Sequence, residues 1–91
     1  MMDIEYLAKD LHMKPEALLK ESIEVFLKHK LKMIESELFL LAKEYGVSTI
    51  TELDKMVKEG KFHEKDTFED YFKFDNLEAE KDRISNHLEK L

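Results

Sequence analysis

The chain has no cysteine and no tryptophan in 91 residues, two glycines and a single proline. Without cysteine there is no disulfide framework and no thiolate metal site, which fits a reducing, cytoplasmic location. Two isolated glycines cannot make a phosphate-cradling loop, and so little turn chemistry leaves almost nothing to punctuate strands. No apolar run reaches the roughly 18 residues of a membrane-spanning helix. The start, MMDIEYLAKDL, carries acids and lacks an apolar core, so no secretory signal is expected. The net charge of −6 argues against broad binding to phosphate backbones.

What remains is charge and helix-forming residues. Charged residues make up 40% and hydrophobic ones 43%, the balance of a charged helical protein rather than a disordered one. Residues 16–45 contain neither Gly nor Pro and are rich in Leu, Lys, Glu and Ala. Pro15 suits a first helical turn, where its missing N–H is harmless. Gly46 suits the left-handed residue that closes a helix, with Val47 touching Ala42. One helix of about 30 residues follows, about 45 Å long at about 1.5 Å per residue. A compact domain of this size has a diameter near 30 Å, by its radius of gyration of about 12 Å. The helix should therefore overhang a compact monomer.

Within it, Leu19, Ile23, Leu27, Leu31, Ile34, Leu38, Leu41 and Tyr45 lie on one stripe, with steps of 4, 3, 4, 3 and 4 from Leu27 onward. A second stripe, Phe26, Met33 and Leu40, repeats every seven residues beside it, widened by Val25 and Phe39. One stripe can bury against the chain's own helices, and a second copy is the simplest cover for the other. A homodimer is therefore expected, with Phe26, Leu27, Leu31, Met33, Ile34, Leu38 and Leu41 at its interface. The alternative is one broad core face within a single chain.

Before the long helix, Asp3 can cap a short one from Ile4 to about Leu11, with Ile4, Leu7, Ala8 and Leu11 on its apolar face. After Gly46, Thr49 and Glu52 form a capping box for a connector helix that Gly60 ends. From about Thr67 to Lys90 the pattern is helical again, with Asp66 and Glu69 resembling a cap and Phe74, Leu77, Ile84, Leu88 and Leu91 on a seam that Lys81 interrupts. The expected fold is all-α and a single domain, 1–91. Residues 1–46 hold the dimerisation helices, 47–61 the connector, and 62–91 a second long, antiparallel helix. Two chains would make a dimeric helical bundle.

Five of the nine aromatics fall in residues 62–74, and residues 62–82 carry eight acids against three lysines. Rings set among acids are a way to anchor in a basic cleft of another protein. Phe62, Phe68, Glu69, Asp70, Tyr71 and Phe72 are the candidate partner-binding residues, since Phe74 fits the chain's own seam. The plainer alternative is a helix start whose rings cover the end of the long helix. Lys28, His29, Lys30 and Lys32 form a basic cluster that reads either as a solvated face, with Glu24 pairing Lys28, or as a phosphate contact. His12, His29, His63 and His87 match no metal motif, there being no Glu-x-x-His and no second His four residues after His63. Ser22, Ser36, Ser48 and Ser85 have no histidine at a recognised spacing, so neither enzyme activity nor a cofactor is expected.

Residues 6–31, YLAKDLHMKPEALLKESIEVFLKHKL, resemble the two-helix part of ribbon-helix-helix proteins. Leu7, Ala8 and Leu11 match the first helix, Met13 the buried turn residue, and Leu18 or Leu19 with Ile23, Phe26 and Leu27 the second. His12 stands where that turn usually has glycine, and Met1 to Glu5 do not alternate like the family's DNA-reading strand. The stretches KEYGVSTITELDKMVKEGK and FEDYFKFDNLE also look like short proteins of prokaryotic toxin–antitoxin pairs. The resemblance implies a dimer of the N-terminal helices whose C-terminal part grips a cognate toxin encoded nearby, a ribonuclease among the possible kinds. Duplex DNA binding is expected to be weak or absent. A DNA-binding regulator, with Lys14, Lys20 and the basic cluster on phosphates, and a structural scaffold dimer are the other two readings.

Overall fold

The computed structural model describes residues 3–61 and 65–91. Among the described residues there are four helices and no strand: α1 (Ile4–Asp10), α2 (Pro15–Tyr45), α3 (Ile50–Lys58) and α4 (Lys65–Glu89). The fold is all-α in the expected order.

Local chemistry sets the helix starts. The Asp3 carboxylate accepts hydrogen bonds from the N–H groups of Glu5 and Tyr6 at 3.0 and 3.2 Å. Lys14 is extended, as a residue before proline must be, and Pro15 then opens α2. Thr49 Oγ1 accepts from the Glu52 N–H at 3.2 Å. The Glu52 carboxylate returns past Thr49 to the Ser48 N–H at 2.8 Å, one residue beyond an ideal capping box. α4 begins at Lys65, so Asp66 stands inside its first turn rather than ahead of it as the sequence pattern suggested.

The ends of α1, α2 and α3 close in the same way. The N–H groups of Met13, Val47 and Lys61 reach back to the carbonyls of Ala8, Ala42 and Met56 at 2.8, 2.9 and 3.1 Å. This closure needs one left-handed residue, supplied by His12 (φ 56°), Gly46 (φ 66°) and Gly60 (φ 75°). Glycine adopts that conformation without strain. At His12 it costs about 1–2 kcal/mol, offset in a glycine variant by the larger entropy of the unfolded chain. His12→Gly is therefore expected to stabilise the protein by about 0.5–1 kcal/mol, raising Tm by a few degrees. A calorimetric melt with an unchanged or lower Tm would show that the His12 ring makes up the difference.

α4 returns antiparallel along α2, while α1 packs on α2 and α3 on α4. Ile34, Leu41, Val47, Leu53, Phe74, Leu77 and Ile84 form one buried cluster, and Leu27, Leu31 and Leu38 pack against it half-buried. Leu53 and Phe74 are the largest fully buried side chains, at 0% and 1% exposed. The 4-and-3 seam of α2 is therefore the chain's own core. α4 cannot follow α2 to its start, because its 25 residues span about 37 Å against about 46 Å for the 31 of α2. Leu19 and Ile23, on the core stripe by spacing, are left 47% and 40% exposed. The molecule measures 60 × 23 × 18 Å, with a radius of gyration of 19.0 Å, well above the roughly 12 Å of a compact chain this long.

Candidate functional site

Two outward faces carry the residues that the sequence marks for binding. The first is the start of α4. Residues four apart lie one above the other on a helix, so Phe68 and Phe72 share a face, 46% and 61% exposed. Glu69 and Asp75 are exposed beside them. Phe74 falls about 160° away around the helix from Phe72 and is buried. This divergence forces the rings apart: Phe74 goes into the core and Phe72 into solvent.

Tyr71 and Asp70 take a different part. Tyr71 is half-buried against the core cluster, its ring edge-on to that of Phe72 with centroids 5.5 Å apart. Its hydroxyl lies close enough to the Asp54 carboxylate on α3 for each group to shift the other's ionisation. Asp70 accepts a hydrogen bond from the hydroxyl of Tyr45 in the last turn of α2. Both were expected to face a partner. Both instead tie α4 to its neighbours, because Asp70 and Tyr71 flank the inward side that Phe74 defines. Ile50 N–H donating to Glu78 at 3.4 Å adds a further link between α3 and α4. Phe62 lies outside the described residues. Of the six residues proposed for partner contact, Phe68, Glu69 and Phe72 thus remain as an exposed acidic-aromatic surface.

The Asp54–Tyr71 contact has a defined electrostatic signature. The Lys58 ammonium, 3.0 Å away, and then the Tyr71 hydroxyl hold the Asp54 carboxyl below its ordinary value of 3.8. The hydrogen bond to Asp54, and then desolvation, hold Tyr71 above its ordinary 10.0. The same Asp54 contact raises Lys58. A lowered carboxyl contributes stability above its unfolded pKa and loses it as pH falls through the folded value. A raised phenol contributes below its unfolded pKa and loses it as pH rises through the folded value. The stability difference between wild type and Tyr71→Phe should be level from about pH 5 to 9 and shrink on both sides. Thermal melts across pH measure it. A difference that stays constant down to about pH 3 and up to about pH 11 would remove the contact.

The second face lies on α2. Ile34 and Leu41, expected at a dimer interface, are buried inside the chain at 5% and 7% exposed. Leu27, Leu31 and Leu38 pack against the same cluster, since α4 already covers that seam. Phe26 and Met33 face outward, at 61% and 55% exposed, and Leu40 continues their line at 64%. A groove of about 320 Å³ runs beside them between α2 and α4, with Met33, Ile34 and Leu77 along it and Lys30, Glu37 and Glu80 at its rim. A larger groove of about 850 Å³ borders the other side of the α2–α4 contact, where Phe39, Ala42, Val47 and Phe74 meet Glu78 and Lys81.

The basic cluster is partly engaged. Lys28 pairs with Glu24 at 3.0 Å and Lys30 with Glu80 at 3.5 Å. His12, His29 and His87 are exposed on separate elements, and His63 lies outside the described residues. Among the described residues no three His, Asp or Glu side chains are grouped to hold a metal ion. No helix there is long and apolar enough to cross a membrane.

The chain belongs to the uncharacterized protein MJ0235 family, whose model matches residues 1–91. No curated protein and no solved structure matches it.

Proposed function

We propose that this member of the family is an antitoxin-like binding protein that neutralises a partner with a basic cleft, a ribonuclease toxin being the kind that its resemblance points to. The observation that carries the reading is the pair Phe68 and Phe72, held outward on α4 beside Glu69 and Asp75 while Phe74 is 1% exposed. Two large rings in water on a rigid helix are costly to leave uncovered, and rings of this kind are common anchors of interfaces. The surrounding acid supplies the other half. A cleft that binds RNA phosphates is basic, and a segment carrying eight acids against three lysines in residues 62–82 would be steered to it. No catalytic role is assigned to any residue.

A DNA-binding regulator has less support. Lys28 and Lys30 already pair with Glu24 and Glu80, and Met1 to Glu5 lack the alternation of a DNA-reading strand. The test is co-expression with the product of the neighbouring reading frame. The expected result is a complex captured at low salt, with rescue of growth if the neighbour is toxic. Failure to bind that product, together with tight sequence-specific shifting of upstream DNA at about 150 mM salt, would replace this reading with the regulator.

A further inference from the structure

The outer face of α2 carries a long line of uncovered apolar side chains. Phe26, Met33 and Leu40 recur every seven residues; Leu19, counted with the core stripe, also falls seven before Phe26 where the two stripes meet, and Ile23 sits beside Leu19 and Phe26. All five are exposed, from 40% at Ile23 to 64% at Leu40. At about 190 Å² for a whole large side chain this is roughly 500 Å² per chain, the size of the largest patch on an ordinary monomer. Two copies would bury roughly 1,000 Å² from these side chains alone, the lower bound for a specific interface.

We infer that this stripe is covered by the same stripe of a second copy, running antiparallel. Three observations select this occupant. The stripe is symmetric about its centre: a two-fold axis between His29 and Lys30 sets Leu19 against the partner's Leu40 and Phe26 against the partner's Met33. That axis also falls at the middle of α2, which spans Pro15–Tyr45, so the two helices overlap along their whole length. Finally, knob and hole match. The groove beside Met33, with Ile34 and Leu77 along it, lies where the partner's Phe26 would enter, and a ring against a thioether is a favourable pair.

The antiparallel sense follows from the unequal lengths of α2 and α4. The start of α2, which α1 covers but α4 does not reach, would lie along the partner's thicker half, where α4 widens the surface. A parallel pair would set the two ends that α4 does not reach side by side. It would also align two long helix dipoles that the antiparallel pair opposes. This inference stands apart from the toxin reading, since it uses the outer face of α2 and the groove beside Leu77 rather than the start of α4, and either can fail without the other.

Light scattering at tens of micromolar should give twice 10.9 kDa for the wild type. Phe26→Glu with Met33→Glu should give 10.9 kDa with unchanged helicity, because both side chains are more than half exposed in the single chain. A hundredfold or greater rise in the dimer dissociation constant is expected. The absence of cysteine makes orientation testable. Oxidation of a mixture of Leu19→Cys chains and Leu40→Cys chains should link one kind to the other, and neither kind to itself. A monomeric wild type, a double variant that stays dimeric, or self-linking of each kind would each overturn the arrangement.

Discussion

Phe74→Ala is expected to cost about 3–5 kcal/mol, the usual range for emptying a buried phenylalanine site. The ring is 1% exposed and lies in the cluster with Ile34, Leu41, Leu77 and Ile84 that holds α4 to α2. A chain of 91 residues has a total stability of about 5–14 kcal/mol, and this one spreads its few buried residues along a rod 60 Å long. The substitution should therefore remove from about a fifth of the stability to nearly all of it, depending on where the total lies in that range. Urea titration followed by circular dichroism measures the loss. The internal comparison is Phe72→Ala, two residues away and 61% exposed, which should cost about 1 kcal/mol or less. Equal costs at the two positions would mean that α4 is rotated from the orientation described.

The second large effect concerns binding. Phe68→Ala combined with Phe72→Ala should weaken capture of the proposed toxin partner at least a hundredfold, about 2.7 kcal/mol or more. Burying one ring contributes roughly 2–3 kcal/mol by area, and truncation of an aromatic anchor often exceeds about 2 kcal/mol. Both rings are part-exposed in the free chain, so some of each area is already spent on intramolecular contact, and the pair together supplies the expected loss. Helicity should survive. Changing Glu69 and Asp75 to neutral residues should instead slow association and reduce its salt dependence, since rim charges act mainly on the rate of encounter. Surface resonance at two salt concentrations separates the two classes. A double variant that folds and binds with unchanged affinity would move the contact surface elsewhere, first to the basic stretch Lys28–Lys32. One that unfolds would make the two rings part of the core.

The helices were legible because their signals are local. Asp3, Pro15, Gly46, Thr49 and Gly60 each act within a turn of their own position, and the structure uses each where the pattern places it. His12 in the left-handed residue of the first turn is legible only by comparison with a glycine at that place, since few other side chains accept that conformation. The start of α4 was less legible. Its acids offer several equivalent capping positions, and the helix begins ahead of the one that the sequence favoured.

The aromatic stretch divides the two kinds of information. Spacing alone separates Phe74 from Phe72, because about 100° per residue cannot turn both inward. Spacing does not say that Asp70 and Tyr71 belong inside with Phe74. That depends on Tyr45 and Asp54 arriving opposite them from α2 and α3, partners 25 and 17 positions away in the chain.

What the sequence by itself determined was the number of helices, their order, their ends apart from the start of α4, and the existence of two apolar stripes on the longest one. Those follow from residue propensities, caps and a 3.6-residue period. Which stripe would be inside was decided only by the tertiary structure. The line through Leu27, Ile34 and Leu41 and the line through Phe26, Met33 and Leu40 are about 100° apart on one helix, and either is apolar enough to be a core. The position of α4 buries the first and leaves the second in water. Its shorter length then uncovers Leu19 and Ile23, because a helix can bury only what its partner is long enough to reach.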